Sequence, residues 1–371
     1  MGISRRIQRA ALVLAAPLLA MAVAAALISV ILLIAGDPPA KTFQTLGEAA
    51  TRPRLQVLAI NNAITYFLVA TAVAIGFRMN LFNIGVEGQL RLGALLAAAA
   101  GGALRVPAVL DVALIIVVAA AAGSVWASIA ALLKAYRGVS EVISTIMLNF
   151  VAYGIIAWLL TTERLAVPVA GSNNIGTRPI PSNGQVAGLS LISDTPNKVY
   201  GLLFLAIAVG VAYHLVLGRT RFGFDLRATG LSEHAAVSSG VSVRKMLIST
   251  MLISGGLAGI AGMPILLGDA HSYSLSFPSG LGFTGIAIAL LGRNRAVGMA
   301  LAALLWGFLD STADQVGLIG VPKEIVVIMQ GFIVLSVVVA YELIRRLRLV
   351  QEQRRVGREL AAAPIPERAG V

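Results

Sequence analysis

The sequence predicts an all-α fold: a polytopic integral membrane helical bundle of about ten membrane segments, with both termini cytoplasmic. Three observations lead there. Hydrophobic residues fill 58% of 371 positions and charged residues 12%, with a mean hydropathy of +0.87, a composition outside the range of soluble globular domains. A spanning helix needs about 20 predominantly apolar residues, and almost all of residues 10–341 divides into such pieces, leaving no room for a separate soluble domain. Divided in this way, the chain puts 21 of its 29 Lys and Arg residues on one side, as positively charged cytoplasmic loops require. That asymmetry accounts for the net charge of +12 without nucleic acid as a partner.

The segments follow in order. Arg5, Arg6 and Arg9 precede an apolar run over 10–35, too long for the 7–15 apolar residues of a signal peptide, so it reads as the first span with its start inside. An outer loop at 36–54 holds Pro38, Pro39 and Pro53. The second span, 55–77, carries Asn61, Asn62 and Thr65 in an apolar frame; the third rises out of a polar stretch through 90–104, and the fourth covers 109–133. A cytoplasmic turn at 134–141 leads to the fifth, 142–160, where Ser144, Thr145 and Asn149 recur at about helical spacing. Residues 161–198, rich in Pro, Gly, Asn and Ser, form an outer loop, and the sixth span, 199–217, returns to a basic cytoplasmic loop at 218–245. In the seventh, 246–267, Gly255, Gly259 and Gly262 with Ser254 and Ala258 make a small-residue surface suited to close helix packing. Segment 279–292 is apolar but short; as a helix it covers about 21 Å of a hydrocarbon layer about 30 Å thick, and so is a short or broken span. The last two spans are 296–316 and 323–344, giving one transmembrane domain over 1–350 and a basic cytoplasmic tail at 351–371.

The chain is organised around residues 77–98, FRMNLFNIGVEGQLRLGALLAA, where Asn80, Asn83, Glu87, Gln89 and Arg91 crowd together with Gly85, Gly88 and Gly93. Polar groups at membrane depth are costly unless they face protein or water, which makes the cluster a candidate site. Its glycines point to an irregular backbone, a recurrent way of building a solute path from broken helices. FNIGVEGQLRLGALLAA and LLGRNRAVGMALAALL share a glycine, an arginine and a following small-residue helix, which suggests a parallel internal repeat.

Several chemistries are excluded. No G-x-x-x-x-G-K-[ST] phosphate loop occurs, and the run ISGGL at 253–257 lies in an apolar segment and reads as packing glycines. His214, His234 and His271 fall in separate elements, so no histidine metal site is expected. Without cysteine there are no disulfides or thiolate ligands. No catalytic residues are expected, since no Ser/His/Asp arrangement is present. Intramembrane carboxylates are nearly confined to Glu87 and Asp310, with Glu141 and Asp314 at helix ends. A proton-coupled carrier needs buried ionisable relays, and their scarcity favours a path driven by an external engine.

NLFNIGVEGQLRLGALLA, EVISTIMLNFVAYGIIAWLL, RATGLSEHAAVSSGVSVRKMLISTMLISGGLAGIAG and GFTGIAIALLGRNRAVGMALAALLWG together resemble the permease subunits of bacterial ABC importers for nucleosides and related simple sugars, in the ribose and branched-chain amino-acid permease superfamily. The resemblance covers roughly residues 55–343. It implies a multi-pass subunit of the bacterial inner membrane without ATPase activity or cofactor of its own, ATP and Mg being bound by a partner cassette ATPase. It further implies a second permease subunit in a heterodimer and an extracytoplasmic substrate-binding lipoprotein, with membrane lipid around the whole. By the same resemblance, residues 218–245 form the coupling loop.

The residues themselves support parts of this reading. A short helix is predicted over 232–239, capped by Ser232 and bounded by Gly230 and Gly240, with Ala235 and Ala236 small enough for close docking in a partner's groove; Gly230, Glu233, Ala235, Ala236 and Gly240 are the candidate coupling residues. A neutral solute with hydroxyl and amide-like edges needs hydrogen-bonding groups without strong charge. Asn61, Asn62, Asn83, Gln89, Asn149 and Thr284 are the candidates to face a central cavity. Glu87 either binds a cation or proton during transport, or accepts hydrogen bonds from backbone amides or from Arg91, its i+4 neighbour; the second suits a neutral solute. A stand-alone secondary transporter is the alternative class, and an integral-membrane transferase, for which no acid, base or metal set is visible, ranks third.

Overall fold

The computed structural model describes residues 2–104, 107–169, 171 and 173–361. In chain order its elements are α1 (Gly2–Ala35), α2 (Pro39–Ala50), α3 (Pro53–Phe77), α4 (Val86–Ala103), α5 (Ala108–Arg137), α6 (Glu141–Leu159), β1 (Ala166–Pro168), β2 (Ile175–Thr177), α7 (Leu203–Arg219), α8 (Arg221–Leu231), α9 (Glu233–Ser238), α10 (Val243–Ile260), the single turn α11 (Met263–Ile265), α12 (Leu281–Leu291), α13 (Ala296–Gly317) and α14 (Glu324–Ala361). The antiparallel hairpin of β1 and β2 pairs Ala166 with Thr177 inside the long loop at 161–198. Local chemistry sets many of the ends. Pro53 begins α3, where its missing N–H costs nothing. Thr220 and Ser232 cap α8 and α9 by accepting from Gly223 N and Ala235 N at 3.1 and 3.3 Å.

All ten segments read from the sequence are helices, and α14 continues through residue 350. By length and apolarity six described helices suffice to cross a membrane, or seven if α7 and α8, bent by 70°, count as one broken span. Three segments make the difference between seven and ten. Glu87 and Arg91 interrupt the apolar run of α4, α12 has only 11 residues, and the described apolar stretch of α1 is Leu19–Ala35. The sequence reading missed α2, whose PAKTFQTLGEAA offers no apolar run, and α8, masked by the basic character of its loop.

The described chain forms two compact units. In one, α1 packs against α14 and buries Ala20, Ala24, Ile28 and Leu32, an i, i+4 stripe that puts one helix face inward. The other holds Gln44–Leu318 and is built around α3, which is buried on every side from residue 63 to 76 and packs against α10, α12 and α13. Beside it α5 and α10 meet backbone to backbone. A Cβ on Gly259 would lie 2.0 Å from Ala119 O, and one on Gly123 would lie 2.1 Å from Gly255 O. The glycines of ISGGL are therefore contact surface between helices, not a nucleotide motif.

Candidate functional site at a break in the bundle

Residues 78–85 do not run from α3 straight into α4. Asn80 takes a left-handed conformation (φ 56°), and the Leu81 amide turns back to the Gly76 carbonyl at 3.0 Å. The chain then folds alongside α3, so that Asn83 Nδ2 donates to Ser254 Oγ of α10 at 2.9 Å, while that hydroxyl donates to Ala72 O at 2.7 Å. Helix α4 thus starts inside the bundle. Asn83 and Gln89 form a reciprocal amide pair with both bonds at 2.9 Å. From α6, Asn149 accepts from Gly88 N at 2.9 Å and donates to Ile84 O at 3.0 Å, satisfying one of the amides that a helix start leaves free.

Glu87 is fully buried in the first turn of α4. Its carboxylate accepts from Gly280 N at 2.9 Å and Gly282 N at 2.7 Å, the amides at the start of α12. The N-cap of α12 is Gly280 (φ 81°), which has no side chain to serve as a cap, so the cap comes from another helix. Gly282 makes the approach feasible, since a Cβ there would lie 2.5 Å from Glu87 N. Two helix starts, each partially positive, meet head to head, and the carboxylate neutralises both. Tyr153 Oη lies 3.5 Å and Arg91 Nη1 3.8 Å from the same carboxylate. Arg91 also donates from Nε to Tyr273 Oη at 3.2 Å and sits over the Tyr153 ring at 5.3 Å. It lies within the bundle and not on a cytoplasmic turn, so it leaves the inside charge count by one.

The seven path candidates separate into two sets. Asn83, Glu87, Gln89 and Asn149 come together, and they spend their hydrogen-bonding capacity on the protein. Asn61 is elsewhere, donating to Lys198 O at 3.0 Å and accepting from Tyr200 N at 2.8 Å, which ties the end of the outer loop to α3. Asn62 packs half-buried against Gly307 of α13. Thr284, half-buried in the first turn of α12, makes no side-chain hydrogen bond among the described residues. Among the described residues none of these three joins the hydrogen bonds of the first set.

Sequence reasoning missed Ser254, Tyr153, Tyr273, Gly280 and Gly282 as partners in this cluster; only the paired glycines of SGLGF before a short apolar segment gave a signal. It also missed Asp111, a fully buried carboxylate of α5. Asp310 pairs with the Tyr66 hydroxyl, and Glu141 pairs with Lys134. Among the described residues no group of three metal-ligating side chains forms.

The loop at 218–245 is seated on the start of the break. A Cβ on Gly230 would lie 2.6 Å from Arg78 O, and Asn80 Nδ2 donates to Gly230 O at 2.8 Å. On α9, Ala236 is 2% exposed and faces its own unit, while Glu233 and Ala235 are exposed. Of the two alanines, then, only Ala235 is presented outward. Gly240 closes the loop with φ 82°. Leu231, at the end of α8, and Val237 of α9 are 89% and 61% exposed; helices this short have too little periodicity for sequence to pick out these apolar positions.

Comparison with known proteins agrees with this architecture. Residues 57–338 match the family described as branched-chain amino acid transport system / permease component. The chain is 37% identical over 330 residues to the guanosine ABC transporter permease protein NupP of Bacillus subtilis, covering 88% of this chain and 93% of the relative. It is 33% identical over 302 residues to the glucose ABC transporter permease protein TsgB13 of Haloferax volcanii, covering 77% and 76%. A second Bacillus subtilis protein, the guanosine ABC transporter permease protein NupQ, is 28% identical over 271 residues, covering 70% and 82%. No solved structure matches the chain. This multi-pass protein of the cell membrane, in bacteria the inner membrane, belongs to the branched-chain amino acid transport system / permease component family and is the permease subunit of an ABC importer.

Proposed function

We propose that this subunit forms the path for a nucleoside or a related simple sugar, and that a separate cassette ATPase, which binds ATP and Mg, drives it through residues 218–245. One observation carries the coupling: Gly230 rests on Arg78, Met79 and Asn80, where the break begins, while Leu231, Ala235 and Val237 on the other side are exposed. A push on α9 reaches the helix starts around Glu87 through that seat. The substrate class rests on the names of the relatives. An extracytoplasmic lipoprotein delivers the solute at the outer loop, both termini face the cytoplasm, and residues 351–371 are a basic tail to the domain at 1–350. The likeness to both NupP and NupQ of one organism supports a second, non-identical permease as partner.

The test is uptake by the assembled transporter in proteoliposomes, with purine and pyrimidine nucleosides, ribose and glucose as competing solutes. Leu231→Asp combined with Val237→Asp is expected to leave assembly intact and to abolish ATP-driven uptake. Undiminished uptake by that variant would refute the coupling, and transport of charged amino acids alone would refute the substrate class.

A further inference from the structure

A second feature of the larger unit adjoins the break and the coupling loop, sharing Arg78 with the one and Arg227 with the other. At the end of α3 a cavity of about 800 Å³ opens between α7, α8 and the first turn of α13. Its mouth carries Arg78, His214, Arg227 and Arg295, and no carboxylate lines it. Among the described residues none of these arginines is in an ion pair. Arg78 is held in place: its Nη2 donates to Asn294 O at 2.6 Å, and Tyr213 Oη donates to the same carbonyl at 2.7 Å. Its Nε is buried without a partner. Helix α13 has Arg295 at its N-cap and no side-chain cap, and Ala296 and Val297 line the cavity, so free first-turn amides add to the positive field.

Away from the mouth the wall is apolar. It continues into a second cavity of about 210 Å³, with which it shares Phe67, Ile207, Gly210 and Ala300. The groove follows α3 from Ile60 to Arg78, about 27 Å at helical rise and longer than one leaflet of about 15 Å. Ile207 and Val211 on its rim are about half exposed.

We propose that this groove binds an anionic phospholipid, its phosphate among Arg78, Arg227 and Arg295 and an acyl chain along Phe67, Ile207 and Val211. A soluble anion would make no use of the apolar wall, and a zwitterionic lipid brings no net charge to the arginines. Because Arg227 belongs to α8, the lipid joins the coupling loop to α3 and α13.

The test uses the purified full chain in mild detergent, with lipid retention followed by native mass spectrometry. Phosphatidylglycerol is expected to bind about 5-fold or more tighter than phosphatidylcholine of the same chains, a basic residue near the headgroups being worth about 1 kcal/mol. Arg227→Gln with Arg295→Gln should cut that preference by about 5-fold or more, Arg78 keeping the remainder, while the protein stays monodisperse. Glycerol 3-phosphate should not displace the lipid. Equal binding of the two lipids to the parent protein overturns the proposal. So does displacement by glycerol 3-phosphate, which would identify a soluble-anion site, or protection of a Val211→Cys variant from a membrane-soluble maleimide in the assembled, delipidated transporter, which would show a protein partner in the groove.

Discussion

Replacing Glu87 isolates what holds the break together. Glu87→Ala removes the acceptor of a part-buried amide, Gly280 N at 2.9 Å, and of a buried one, Gly282 N at 2.7 Å. An unsatisfied buried donor costs about 1–3 kcal/mol, a part-buried one from about 0 to the same 3, and loss of the charge at the start of α12 forfeits up to about 2 more, for a total of about 1–8 kcal/mol. Glu87→Gln keeps one carbonyl for one amide and turns its NH2 group toward the other, so its cost is about 1–5 kcal/mol. Arg91 retains Tyr273 and the Tyr153 ring in both variants, which limits the damage to the α4–α12 junction. Denaturant unfolding of the purified chain in detergent, followed by tryptophan fluorescence, measures both. The expected order of stability is parent, then Gln, then Ala, with uptake by the assembled transporter largely kept in Gln. An Ala variant within about 0.5 kcal/mol of the parent, the range of an ordinary surface substitution, would refute the capping argument. A Gln variant that folds like the parent yet transports nothing would show that the charge itself works in transport.

Further expectations follow from close approaches. Gly282→Ala puts a Cβ 2.5 Å from Glu87 N and should prevent a folded product, whereas Gly317→Ala, with nothing within 4 Å, should express and unfold like the parent; equal yields of the two would contradict the head-to-head contact. Ala236→Leu should lower the stability of the isolated chain because that position is buried, while Ala235→Leu should leave stability unchanged and reduce only ATPase-coupled uptake. Fluorescence-detected gel filtration and uptake measurements separate these outcomes.

Helical segments were readable because lipid imposes a long apolar run on each span, and α3, α5, α6, α10 and α13 have one. Ser232 as the start of α9 was readable too, since a cap is a local hydrogen bond. What was not readable was which face of a short or broken element meets what. Ala235 and Ala236 look alike in sequence, yet one is outward and one buried. Arg91 counts as a loop charge until Tyr273, 182 positions later, is seen beside it. The path candidates were chosen for donor and acceptor chemistry, and that same chemistry lets Asn83, Gln89 and Asn149 satisfy backbone groups at a helix start. Glu87 stood out as the one carboxylate of its stretch, but its partners are glycine amides, which carry no side-chain signature.

The carboxylate shared by two helix starts also sets a timetable for biogenesis. Asn83 waits for Ser254, and Glu87 waits for Gly282, which is made 195 residues later. At about 5–20 residues per second of synthesis, that interval is about 10–40 s. Throughout it Asn83 and Glu87 lack these partners, which come only with α10 and α12. The larger unit therefore closes late, around its most polar stretch, and a stall in translation between α4 and α12 leaves Glu87 without the amides that neutralise it.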